Sequence, residues 1–113
     1  MPQYLARFSY APPAIQALVR QPDVDRAAEA AAMVDSLGAR LLGYWHVLGG
    51  SEGVVLLEAP DSGVVASIAL AIGGSGEVSK YDTTVLLTMK EVQAAAVAAA
   101  SARHLPPHSG AHT

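Results

Sequence analysis

The stretch WHVLGGSEGVVLLEAP, Trp45 to Pro60, decides the fold. An apolar run carrying one polar residue, His46, ends in Gly49-Gly50-Ser51-Glu52-Gly53. A second apolar run, Val54 to Leu57, leads to Glu58 and stops at Pro60. Two such runs joined by a short Gly-rich link read as a β-hairpin. A phosphate-cradling loop would instead join a strand to a helix, where free N–H groups and a positive dipole end meet the anion. GGSEG lies between strands and lacks both G-x-G-x-x-G spacing and a trailing Lys-Ser/Thr, so it is read as a turn.

The hairpin register fixes which side chains share a face. If Gly49 to Gly53 all form the loop, Leu48 faces Val54, His46 faces Leu56 and Tyr44 faces Glu58. Tyr44, His46 and Glu58 then point the same way. A four-residue loop with Leu48 opposite Gly53 would put Gly43 and Trp45 beside Glu58 instead. The five-residue register groups the polar side chains and is the one expected.

Outward from the hairpin, Gln3 to Tyr10 alternates as a first strand, broken by Ala11-Pro12-Pro13. A short helical turn follows over 14–20. A helix is expected from Val24 to about Leu37, with Asp23 as its N-cap and Gly38 as its stop. Arg40 to Leu48 and Val54 to Ala59 are the hairpin strands. Asp61 caps a helix with a body from Val64 to Ile72, apolar almost all round and so expected to be buried on more than one side. Glu77 to Leu87 is a fourth strand. Thr88-Met89-Lys90-Glu91 fits a capping box opening a final helix to about Arg103. Residues 104–113 read as a tail, and residues 1–103 as one domain.

This order, β-α-β-β-α-β and a further helix, predicts an α+β, ferredoxin-like sandwich with an additional C-terminal helix. Helices cover one face of the sheet. The other face needs a cover, and a second copy of the chain is expected to supply it.

Bulk properties narrow the function. The chain has 113 residues, 51% of them hydrophobic, and a mean hydropathy of +0.30. The apolar residues lie in short segments, and none reaches the roughly 18 that a membrane span needs. A net charge of −3 and scattered basic residues argue against a nucleic-acid partner. There are no cysteines, so disulfides, thiolate nucleophiles and Cys-bound metals are excluded. With no signal-peptide pattern at the N-terminus, a cytoplasmic location is the expectation.

Several segments in this order resemble the GYD-domain family. They are Met1 to Leu5, Ser36 to Tyr44, Val54 to Asp61 (VVLLEAPD), Ala69 to Gly73, and Gly76 to Thr88. The resemblance runs over roughly Met1 to Ala95. It implies a dimeric α+β-barrel type of fold and a homo-oligomer, and no settled reaction. The Gly-x-Tyr-Asp motif for which the family is named corresponds here to Gly50-Ser51-Glu52-Gly53. Glu and Gly stand where the family has Tyr and Asp, so the role of those two residues does not transfer.

The candidate site follows from charge and register. Arg7 and Glu58 are costly to bury unpaired and are expected on the open face, as neighbours. With Tyr44 and His46 they would form a polar cluster in a pocket under that face. His46 and Glu58 are the candidate acid/base pair, Arg7 the group that orients a carbonyl or carboxylate, and Tyr44 a hydrogen-bond donor. The ligand would be a mostly apolar metabolite, and cofactor-free isomerisation, dehydration or oxidation would suit this equipment. No cofactor and no metal are implied. The competing reading makes Arg7 and Glu58 a structural ion pair at an interface between copies. Two weaker candidates are Pro2, as the base of an N-terminal-proline tautomerase, and His104, His108 and His112, spaced for metal binding but interrupted by Pro106-Pro107. Ser51 lies on no nucleophile elbow.

Overall fold

The computed structural model describes residues 1–103. The tail over 104–113, with its three histidines, lies outside the described residues. The elements run β1 (Gln3–Tyr10), α1 (Pro12–Arg20), α2 (Arg26–Ser36), β2 (Arg40–Val47), β3 (Glu52–Glu58), α3 (Ser62–Gly74), β4 (Val78–Leu86) and α4 (Met89–Ala100). The four strands form one antiparallel sheet in the order β2-β3-β1-β4. This is the expected ferredoxin-like α+β architecture, with β1 central and next to β3.

One face of the sheet is packed. Tyr4, Ala6 and Phe8 of β1 and Val55 and Leu57 of β3 meet Val34 of α2 and Val65 and Ile68 of α3. The period-2 alternation of β1 and β3 selects these side chains and turns Leu5, Arg7, Val54 and Leu56 to the other side. Leu57 and Ile68 are the largest side chains wholly removed from solvent.

Helix starts follow local chemistry. The prolines open α1 at its first positions, where a missing N–H costs nothing. The N-cap of α2 is Asp25 rather than Asp23. Its carboxylate accepts from Ala28 N–H at 3.0 Å, while the preceding turn is closed by Val24 N–H to Gln21 carbonyl. Gly38, at φ 89°, ends the segment after α2 as expected. Asp61 caps α3 by accepting from Val64 N–H. Thr88 and Glu91 complete the reciprocal capping box of α4.

Two expectations about packing are corrected. α3 is not enclosed on several sides. Val65 and Ile68 are buried, but Leu70 is 77% exposed, because nothing among the described residues covers the outer side of this helix. α4 ends at Ala100 rather than Arg103, and every residue in it is exposed.

Candidate functional site

The site is decided by the hairpin. Val47 pairs with Glu52, and Leu48 to Ser51 form a four-residue turn. Tyr44 therefore faces Val55, Trp45 faces Val54 and His46 faces Gly53. The expected five-residue register is overturned, and the side-chain parity is that of the four-residue alternative, with the turn placed one residue earlier. Gly49, at φ 90°, supplies the left-handed position of the turn. Glu52 is drawn into β3 rather than the loop, because its carboxylate accepts two hydrogen bonds from Arg7 across the sheet. A bulge at Leu42 then resets the parity within β2. Leu41 faces Leu57 on the packed side, and Gly43 faces Leu56 on the open side.

The four predicted site residues are consequently split. Arg7 and Glu58 lie on the open face, as their charge requires, but they are not neighbours. Arg7 stands opposite Val54 and binds Glu52 at 2.8 Å. Glu58 stands opposite Gln3 and Arg40, with the Arg40 guanidinium 3.7 Å away. Tyr44 and His46 point to the helix side. No cluster of all four exists, and Glu58 cannot hold or tune His46 through the sheet.

The helix side instead gathers Tyr44 and His46 with residues the sequence reading left out. The hydroxyls of Tyr10 and Tyr44 are hydrogen-bonded to each other. The His46 ring stacks on Tyr10 with centroids 5.9 Å apart and planes 17° apart. Its Nε2–H donates to the Gly50 carbonyl at 3.0 Å, which makes Nδ1 the acceptor nitrogen of the neutral ring. Phe8 stands edge-on to both tyrosines. Gly53 makes this grouping possible. A Cβ there would lie 2.6 Å from the Phe8 ring and 3.1 Å from the Tyr10 hydroxyl.

The Phe8, Tyr10 and Tyr44 rings border a cavity of about 280 Å³ between the sheet and the helices. Its walls are mostly apolar, among them Leu18 of α1, Met33 of α2, and Ile68 and Ile72 of α3. A more open recess adjoins it, about 360 Å³ in volume and lined by Tyr10, Leu18, Arg26, Ala27, Tyr44 and His46. Glu29 and Glu77 line the first space; no carboxylate lines the second.

Arg26 lines both. One terminal nitrogen donates to the Ala17 carbonyl at 3.0 Å and so ties α2 to the end of α1. Its Nε is buried with no hydrogen-bond partner among the described residues. Burial, reinforced by the hydrogen bond and charge of Tyr44, pushes the Tyr10 phenol well above its usual 10.0. Burial also raises Tyr81, which stacks on Phe8 from β4.

Tyr10 was legible as a strand residue of the packed parity. Arg26 gave no sequence signal, because it looked like one more solvated helix charge. Pro2 lines neither space, and its carbonyl accepts from Ala59 N–H at 3.1 Å. Among the described residues no group of three His, Asp or Glu side chains is placed to hold a metal. No helix among them is long and apolar enough to cross a membrane.

The model of the GYD domain matches residues 4–96. The chain belongs to the GYD-domain family. Within it, Glu52 and Gly53, which stand at the motif's Tyr and Asp, face opposite sides of the sheet: Glu52 toward Arg7, Gly53 toward the tyrosines. No curated protein matches the chain. Among solved structures it is similar to protein Atu4242 from Agrobacterium tumefaciens, at 14% identity over 77% of this chain and 92% of that one, TM-score 0.48. An antibiotic biosynthesis monooxygenase is similar at 13% identity over 78% and 98%, TM-score 0.47. A NIPSNAP family protein, Atu5224 of the same bacterium, is similar at 16% identity over 76% and 90%, TM-score 0.47.

Proposed function

We propose that this GYD-domain protein binds a mostly apolar small molecule between its sheet and helices, and that the ligand carries a carbonyl or carboxylate group. The observation that carries this reading is the buried, unpartnered Nε of Arg26 beside the Tyr10–Tyr44 pair. A buried donor left unpaired costs about 1–3 kcal/mol, and an oxygen acceptor on a ligand would remove that cost. The acidic lining of the first space directs the apolar part of the ligand there and its oxygen group to the carboxylate-free recess.

Tyr10 keeps its phenolic proton and can hydrogen-bond a ligand oxygen, its raised pKa making it a positioning donor rather than a strong acid, and His46 Nδ1 is the ring nitrogen left to face a ligand. This is equipment for cofactor-free proton transfer at a carbon activated by the bound carbonyl. Isomerisation or dehydration needs only such proton transfer, and oxidation would require dioxygen as the co-reactant that takes the electrons. Arg7 and Glu58 drop out of the chemistry and fall to assembly. Their ion pairs, with Glu52 and Arg40, lie on the uncovered face through which we propose that copies of the chain pair. The open-face pairing is favoured by Leu5, Val54 and Leu56, which lie only half-buried there.

The test uses the apolar anion 8-anilinonaphthalene-1-sulfonate as a probe, displaced by a medium-chain fatty acid or by the alcohol of the same length. The dye is expected to bind, the acid to displace it better than the alcohol, and Ala30→Trp, which fills the cavity, to abolish binding. Equal displacement by acid and alcohol refutes the oxygen-handle assignment. Dye binding unaffected by Ala30→Trp refutes the pocket itself.

A further inference from the structure

α4 presents a physical problem. All twelve residues from Met89 to Ala100 are exposed, including Val92 at 39% and Val97 at 75%. Helices of this length are marginal in water even when rich in alanine; most helices are held by packing an apolar face. The α4 sequence supplies such a face. Met89, Val92, Ala96 and Ala100 recur at helical spacing, and the only charges are the adjacent Lys90 and Glu91, which cancel.

The sheet has the converse problem. Its open face carries half-buried Leu5, Val54 and Leu56 beside Trp45, which is 54% exposed, and no helix among the described residues covers it. The charges there are already matched as Arg7–Glu52, Arg40–Glu58 and Lys80–Asp82. A strongly charged partner would find nothing to read on either surface, whereas a second copy meets the first without net repulsion. The two surfaces are also continuous. Leu86 pairs with Gln3 at the end of β4 on the open side, and the helix begins three residues later. The Thr88–Glu91 capping box, with bonds of 3.0 and 3.1 Å, closes the first turn of α4, and the helix that follows is exposed throughout.

We propose that α4 is an exchange arm: in a two-fold pair of copies joined across the open sheet face, each α4 packs on the second copy. This rests on the open-face pairing put forward above. The arm needs no ligand, so the dye displacement test does not bear on it.

The test combines sedimentation of the full chain with the emission of Trp45, the only tryptophan. Wild type is expected to be dimeric at micromolar concentration, with Trp45 emission moving to longer wavelength on dilution. Val92→Glu with Ala96→Glu, both on that apolar face, should raise the dissociation constant at least about tenfold, because a carboxylate would be buried at the seam. Glutamate is a good helix former, so unchanged far-UV circular dichroism separates lost docking from lost helix. If the double variant pairs as wild type while Val54→Glu does not, the open-face pairing stands and the arm is refuted. A wild type that stays monomeric, with Trp45 emission independent of concentration, overturns both.

Discussion

Leu56 and Leu57 are adjacent in β3 and live in different environments. Leu57 is fully buried under the helices, while Leu56 is half-buried on the open face. The same division runs through the whole sheet. The packed face holds the aromatic rings, the cavity and a buried arginine nitrogen. The open face holds ion pairs between exposed side chains and an uncovered apolar patch. The contrast teaches that one face is closed by the chain's own helices, whereas the other is left open by every described element and would be covered only by the pairing of copies proposed above.

The sharpest measure of that contrast is the leucine pair itself. Leu57→Ala should lose about 2–5 kcal/mol in urea unfolding, because it leaves a cavity in closed packing. Leu56→Ala should lose less than about 1 kcal/mol at concentrations where the chain is a single copy, and more where copies pair. Equal losses at every concentration would remove the distinction between the faces.

The glycines give the next measure. Gly53→Ala drives a methyl against the Phe8 ring and the Tyr10 hydroxyl on the packed side, and should cost about 1–3 kcal/mol. Gly43→Ala meets the Trp45 indole on the open side, but Trp45 can swing into solvent. That variant should cost less than about 1 kcal/mol and register mainly as a change in Trp45 fluorescence. A larger loss at Gly43 than at Gly53 would show that the open face is already firmly covered.

The phenol pair provides a pH reading of the packed face. The folded pKa of Tyr10 lies above its unfolded value of 10.0. Its contribution to stability is therefore complete below pH 10 and is lost as pH rises toward the folded pKa. In a titration of tyrosinate absorbance, Tyr10 should ionise last or only on unfolding. Tyr44→Phe removes the hydrogen bond and lowers the Tyr10 pKa, though not to 10, because burial is the larger cause. The associated loss of stability should be about 1 kcal/mol. A Tyr10 that titrates normally in the folded wild type would place it in water and open the pocket assignment to revision.

The sequence displayed the fold because its signals were local and mutually consistent. Alternation in β1 and β3, the Thr88 capping box and the Gly38 stop each act within a few residues. The site was harder for a physical reason. Side-chain direction in β2 depends on two parity changes, the four-residue turn at Leu48 to Ser51 and the bulge at Leu42, and no residue there announces either. Grouping polar residues onto one face was a reasonable rule for Arg7 and Glu58, whose charge does place them outward. It failed for Tyr44 and His46, which can satisfy their polar atoms on the packed side through Tyr10 and the Gly50 carbonyl. Arg26 became visible only when the α1–α2 turn brought it over the cavity.

The smallest expected effect comes from the residue that first pointed to a site. Arg7 and Glu52 make a short ion pair, but their side chains are 57% and 39% exposed, so water and salt screen most of the attraction. Arg7→Ala should shift stability by less than about 1 kcal/mol in the single copy, and by less again at high ionic strength. If copies pair through this face, the same pair loses its water, and the remaining Glu52 would be left as an uncompensated charge at the contact. Arg7→Ala should then weaken pairing more than it weakens folding, while Arg7→Ala with Glu52→Ala should weaken pairing less than the single change. An Arg7→Ala variant that pairs like wild type while losing stability would instead make the ion pair a feature of the fold alone.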